Sequence, residues 1–292
     1  MIPKDVLKKI RRIQITTSRM VSDVFAGQYQ STFKGKGIEF DEVRQYQPGD
    51  EIRSIDWNVT ARMNHPYIKK FVEERELTVM ILLDMSASSF FGTVKQLKSA
   101  LAAEICSLLA LSAIRNNDNV GFIAFTDKVE KFIPPRKGLR HVLRVVREAL
   151  YFKPGNTGTD INAALEFLNR ITTRKTVAFV ISDFYSPAYK KMLAVTNKRH
   201  DCIAVTITDP RELELPDVGL IRLEDAETRN SFLVDSSDAL VRKEYAESAQ
   251  KRLRQRAMLF RSVNVDSIDI RTDVAYGVSL YKFFRARERR MR

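Results

Sequence analysis

No stretch of this chain is apolar for long enough to cross a bilayer, which takes roughly 18 residues. The longest candidate, Leu97 to Ala113, is interrupted by Ser99, Glu104 and Ser107. No transmembrane segment is expected. The basic start, with Lys4, Lys8, Lys9, Arg11 and Arg12, leads into no apolar core, so no secretory signal is expected either. Cysteine is scarce. The 292 residues hold two, Cys106 and Cys202, far apart and each inside an apolar segment. They read as core thiols of a reducing compartment, which makes the expected location cytoplasmic. There are three histidines, His65, His141 and His200, and no two have ligand spacing, so a zinc site is not expected. A Walker A loop and a Gly-x-Ser-x-Gly elbow are both missing. An aspartyl-phosphate phosphatase would place a second acid two residues after Asp84, where Ser86 stands. Gly35 and Gly37 follow no buried strand and do not read as a dinucleotide loop. The expectation is a chain that binds rather than catalyses.

Positive charge, by contrast, is plentiful: the formal net charge is +13. It permits attraction to nucleic acid, anionic lipid or an acidic protein without choosing among them. The hydrophobic fraction of 44% is enough for an ordinary globular core. Ile2, Val6, Ile10 and Ile13 recur at helical spacing and predict a helix over residues 1 to about 30. From Ser31 to Glu76 the chain is rich in charge and aromatics, punctuated by Gly35, Gly37 and the turn Pro48-Gly49-Asp50, and reads as short extended segments. Residues 1–76 are therefore taken as an N-terminal extension packed on a main domain of residues 77–292.

In that main domain strands alternate with helices. Leu77–Leu83, Asn119–Phe125, Val129–Ile133, Thr176–Ser182, Cys202–Thr208 and Ser267–Ile270 read as strands. Thr93–Arg115, with a capping box at Thr93 and Gln96, then Leu139–Tyr151, Asp160–Thr172, Pro187–Lys198 and Asp238–Ser262 read as helices, and a last one begins at Asp273. The basic end, Arg285 to Arg292, reads as frayed. Between residues 219 and 235, two apolar triplets flank Glu227-Thr228-Arg229-Asn230, the pattern of a β-hairpin insertion. The predicted class is α/β: a doubly wound, mostly parallel sheet of Rossmann-like type with helices on both faces.

The candidate site lies where buried strands end. Asp84 closes one such strand, and alternate residues of the extended loop after it, Asp84, Ser86 and Ser88, can face one point. A carboxylate and two hydroxyls are hard oxygen donors suited to Mg²⁺ or Mn²⁺. Asp183 ends a second buried strand, and Thr159 stands in the loop Gly155-Asn156-Thr157-Gly158-Thr159-Asp160 that opens a helix. Asp160 itself reads as that helix's N-cap.

These residues resemble the metal-ion-dependent adhesion site of von Willebrand factor A domains. The family motif runs Asp-x-Ser-x-Ser, then a Thr in a Gly-rich loop, then an Asp after a later strand. Asp84, Ser86 and Ser88 match the first part, Thr159 the second and Asp183 the third. The upstream run from Gly35-Lys36-Gly37 through Arg44, Pro48-Gly49-Asp50 and Arg53-Ser54-Ile55-Asp56-Trp57 to Arg62 resembles the bacterial domain-of-unknown-function 58 family. That family sets such a segment before a von Willebrand A-like domain and is typically encoded beside MoxR-type AAA+ ATPases. The resemblance implies a metal-dependent protein-binding module, holding Mg²⁺ or Mn²⁺ at Asp84, Ser86, Ser88, Thr159 and Asp183. It also implies a MoxR-type ATPase partner that supplies an Asp or Glu to the ion. The alternative is a nucleic-acid binder using the basic helix from Arg242 to Arg261 and the basic C-terminus, which no recognised motif supports.

Overall fold

The computed structural model describes residues 39–72, 77–93, 96–227 and 229–291. The expected helix over residues 1 to about 30 and the Gly35-x-Gly37 pair lie outside these. Two compact units divide between Leu77 and Thr78.

In the smaller unit, strand β1 (Glu39–Gln45) pairs antiparallel with β2 (Tyr67–Val72). The turn Pro48-Gly49-Asp50 needs its glycine, since Gly49 has φ +110°. Asp50 takes two hydrogen bonds from Arg44, at 2.7 and 2.9 Å, and one from the Gln47 N–H at 2.8 Å. The Arg44 hydrogen bond, first among its neighbours, holds the Asp50 carboxyl below the usual carboxylate range. Asp56 caps helix α1 (Trp57–Met63) by accepting from the N–H groups of Asn58 and Val59. Arg44, Asp50 and Asp56 thus build turns and a cap, while Arg53 and Arg62 are exposed.

The larger unit has a six-stranded sheet in the order β10-β7-β6-β3-β4-β5. Its strands are β3 (Thr78–Asp84), β4 (Asn119–Phe125), β5 (Val129–Arg136), β6 (Val177–Ser182), β7 (Asp201–Thr208) and β10 (Asp266–Arg271). All neighbours are parallel except β5, which runs antiparallel to β4 at one edge. Residues Val79 to Leu83 are buried throughout, as a central parallel strand requires. On one face Met80, Leu82, Ile123, Val180 and Ala204 form a core with α4 (Ile161–Ile171), α5 (Lys190–Arg199) and α6 (Ala239–Ser262) through Leu165, Leu193 and Phe260. The opposite face packs on α2 (Lys98–Arg115), which also touches α3 (Leu139–Tyr151), and α7 (Tyr276–Met291) lies against β10. The expected mostly parallel α/β fold is the one observed. Between β7 and α6, β8 (Leu220–Glu224) and β9 (Ser231–Asp235) form the expected antiparallel hairpin.

Several local expectations change: α5 begins at Lys190, three residues after Pro187, and β5 runs on past Ile133 to Arg136. Helix α2 begins at Lys98, five residues after Thr93, because Thr93 gives its N–H (3.0 Å) and its hydroxyl to Asp209 instead of capping a helix. Helix α7 begins at Tyr276, three residues after Asp273. The basic C-terminus is helical through Met291 and not frayed: Arg287 pairs with Asp201 and Asp266, and Arg290 with Asp266 at 3.0 Å.

His200 is buried and built in as a neutral ring. The Thr172 hydroxyl donates to the Leu168 carbonyl at 2.6 Å, so it accepts from Nε2–H of His200 at 3.2 Å. Nδ1 then accepts from the Thr176 N–H at 3.4 Å. Burial, then the charge of Arg199, lowers the His200 pKa below 6.5. A depressed folded value means stability that is present above 6.5 and lost as pH falls through the folded value. Urea midpoints measured from pH 7.5 down to pH 5 should fall more steeply for the wild type than for His200→Gln. Parallel curves would show that this ring is not the titrating group.

Candidate metal centre

From β3 the chain passes to β4 on one side, and it returns to lay β6 on the other. The β3/β6 boundary is therefore the topological switch point, where a crevice opens beyond the carboxyl ends of the strands. Leu83 pairs with Ile181 there, which sets Asp84 beside Ser182 and Asp183. The Asp84 carboxylate accepts from the Ser182 hydroxyl at 2.6 Å and from the Ser86 N–H at 2.9 Å. After Ser86 the chain tightens into a 3-10 turn, Ala87–Phe90, which brings the hydroxyls of Ser86 and Ser88 to 3.1 Å from each other. The Ala87 N–H donates to the Thr157 carbonyl at 2.9 Å, tying this loop to the Gly-rich loop. In that loop Asp160 caps α4 through the Asn162 N–H, as its position predicts. Ser186, from the loop after β6, donates its hydroxyl to the Thr159 carbonyl at 3.3 Å. Hydrogen bonds thus knit together the three loops that carry all five expected ligands.

The loop after β6 is held under strain. Phe184 has φ +61°, a left-handed conformation that a bulky residue rarely adopts. Its N–H is fixed to the Ser182 hydroxyl at 2.9 Å, and Arg256 of α6 donates to the Asp183 carbonyl at 2.8 Å.

Four charged or polar partners at this edge fall outside the expected ligand set. Lys98, the first residue of α2, is only 3% exposed and places Nζ 2.8 Å from Asp183 and 2.6 Å from Glu212. Burial works to lower its pKa, but the charges of Asp183 and Glu212 outweigh burial and hold it above the ordinary lysine value. Glu212 is set in place by a 3-10 capping box with Asp209. Ser182 bridges Asp84 and Phe184. Glu227, at the tip of the hairpin, accepts from the Thr159 hydroxyl at 2.6 Å. Only Lys98 could have been suspected, as a lone cation entering an apolar helix. Glu227 lies 68 positions from Thr159, so nothing local marks it.

Asp84 and Asp183 are both buried. Burial, and secondly the charge of Asp183, pushes the Asp84 carboxyl up to about 6. Two buried acids, with serine and threonine hydroxyls on the neighbouring loops, fit a hard divalent cation in donor type. Asp183 would share its charge between such an ion and Lys98. Among the described residues no three His, Cys, Asp or Glu side chains converge as a metal cluster, so any ion here depends on the serine and threonine hydroxyls.

Fold and site together define a mixed α/β protein with an oxygen-rich cluster at the switch point of its sheet. The chain belongs to the family described as protein of unknown function DUF58, which it matches over residues 42–256. It is 30% identical over 285 residues to the uncharacterized protein Rv1480 of Mycobacterium tuberculosis, covering 96% of this chain and 89% of that one. It is 27% identical over 105 residues to the uncharacterized protein YeaD of Bacillus subtilis, covering 36% and 24%. Among solved structures it is similar to an aerotolerance-related membrane protein from Bacteroides fragilis, with TM-score 0.48, 18% identity, and coverage of 74% of this chain and 100% of that one. BatB from Bacteroides thetaiotaomicron gives TM-score 0.46, 17% identity and coverage of 73% and 99%. No described helix of this chain is long and apolar enough to cross a membrane.

Proposed function

We propose that the chain is a metal-dependent protein-binding module with no catalytic role. The supporting observation is the gathering of Asp84, Ser86, Ser88, Thr159 and Asp183 on three mutually bonded loops at the switch point. Asp84 and the three hydroxyls would hold Mg²⁺ or Mn²⁺, and Asp183 would add charge from the neighbouring strand end. A bound ion supplies a positive charge with a coordination position left for a carboxylate. Hydroxyls neutralise none of that charge, so the centre stays attractive to an acid from a partner. The resemblance to von Willebrand A-like adhesion sites, and to a family encoded beside MoxR-type ATPases, favours such an ATPase as that partner.

The basic residues support a nucleic-acid role less well, because several of them serve the fold. Arg242 donates to the Ser236 and Ser237 carbonyls, and Arg256 to the Asp183 carbonyl. Capture of partners from cytoplasmic extract, with Mg²⁺ and again with EDTA, separates the two readings. Proteins retained only with Mg²⁺ support the adhesion reading. Retention that ignores EDTA and collapses with salt supports phosphate binding.

Calorimetry tests the centre itself. Wild type should bind one Mg²⁺ or Mn²⁺, and Asp84→Asn should bind it at least tenfold more weakly, a loss of about 1.4 kcal/mol or more. Equal affinities would place the ion elsewhere.

A further inference from the structure

We infer that Glu227 is an internal acid of the metal centre, a carboxylate of the chain's own hairpin held against the Thr159 hydroxyl in place of a partner's acid. This rests on the metal-binding reading above and adds its regulation. The hairpin reaches the site from far along the chain, and its turn is fixed for the purpose. Asp225 accepts from the Glu227 N–H at 2.9 Å, its own N–H donates to the Asn230 carbonyl at 2.8 Å, and its carbonyl accepts from the Arg229 N–H at 2.9 Å. Arg229 takes φ +62° to close the turn. So held, the half-buried Glu227 accepts from the hydroxyl of buried Thr159 at 2.6 Å. A hydroxyl that donates its hydrogen bond to a carboxylate keeps its lone pairs as donors to a cation and becomes the richer ligand for it.

The surroundings leave room for exchange. A cavity of about 780 Å³ opens between the loops and the hairpin, with Met85, Ala87 and Thr157 on the loop side and Glu224, Ala226 and Arg229 on the hairpin side, and Glu227 follows Ala226 in the chain without lining it. The hairpin packs as a separate two-stranded sheet, not as part of the central one. Two-stranded hairpins are marginal alone, so its tip can leave without disturbing the core. An incoming acid then competes with Glu227 for one seat, and the hairpin sets the threshold for docking.

The test uses the full chain and acetate, the smallest free carboxylate, as probe. Mg²⁺ is titrated calorimetrically into wild type, Glu227→Ala and Glu227→Gln, with and without excess acetate, after melts in EDTA confirm that all three fold alike. Without acetate, both variants should bind Mg²⁺ about 10- to 100-fold more weakly than wild type. Acetate should restore Glu227→Ala, which has an empty seat. It should leave wild type unchanged, because its own carboxylate fills the seat, and restore Glu227→Gln less than Glu227→Ala, because the amide still occupies it. If Glu227→Ala binds Mg²⁺ as wild type does, or if acetate acts equally on all three, the assignment of Glu227 is overturned while the metal centre stands. If none of the three binds the ion, the metal reading itself fails and takes this inference with it.

Discussion

Replacing Lys98 by Met will lower the unfolding free energy by about 3–5 kcal/mol, and the midpoint temperature by roughly 6–20 °C. The ammonium is buried between Asp183 and Glu212 at 2.8 and 2.6 Å, so its loss strands two acids at low solvation. The size of the effect comes from the groups left behind and not from the worth of the bridge itself. Urea unfolding at neutral pH measures it. The double variant Lys98→Met, Glu212→Gln should recover part of the loss, because it strands one acid instead of two. Mg²⁺ should then stabilise Lys98→Met more than wild type, since Asp183 no longer divides its charge. A single-variant loss under about 1 kcal/mol would mean that water reaches the triad and that Lys98 is not a structural cation.

The second large effect concerns the partner. Binding of the candidate ATPase to Asp84→Asn, or to wild type in EDTA, should be weaker than to wild type with Mg²⁺ by about 2–5 kcal/mol, roughly 30-fold or more. Asparagine keeps the shape of the side chain and can still face both Ser86 and Ser182. Folding should not suffer. Burial, then Asp183, raises the Asp84 carboxyl to about 6, above its unfolded value of 3.8, so its ionised form opposes folding at neutral pH. A folded variant that binds the ATPase as tightly as wild type, with or without EDTA, would reduce the centre to a tie among loops.

The buried strands were legible because Val79–Leu83 and Val177–Ile181 are continuous apolar runs, which a central parallel strand requires and a surface helix forbids. The loops after Asp84 and Asp183 were legible as strand ends because each follows one of those strands directly, whereas the Thr159 loop follows helix α3. Less visible was whatever depends on long-range pairing. Thr93 and Gln96 satisfy the local rule for a helix start, yet Thr93 answers to Asp209, 116 positions away. The run Arg285–Arg292 has the composition of a loose tail, but acids at the start of β7 and β10 draw Arg287 and Arg290 into order. Glu227 and Glu212 belong to the same class: their partners are chosen by topology, and no window of sequence contains both halves.

The edge of the sheet has a consequence for how this protein meets others. On β5, Pro134 and Pro135 face the single residue Gly121, because Val120 pairs with Arg136 and Phe122 with Ile133. That is a bulge built from two residues without N–H groups. The outer margin of β5 is therefore a poor template for a further strand, and at the far margin β10 carries Asp266, Ser267 and Asp269 among its residues. Both margins resist strand-to-strand polymerisation. A central sheet sealed in this way cannot easily recruit a neighbour by lengthening, which leaves loop ends, helix faces and the two small two-stranded sheets as the places where assembly is decided.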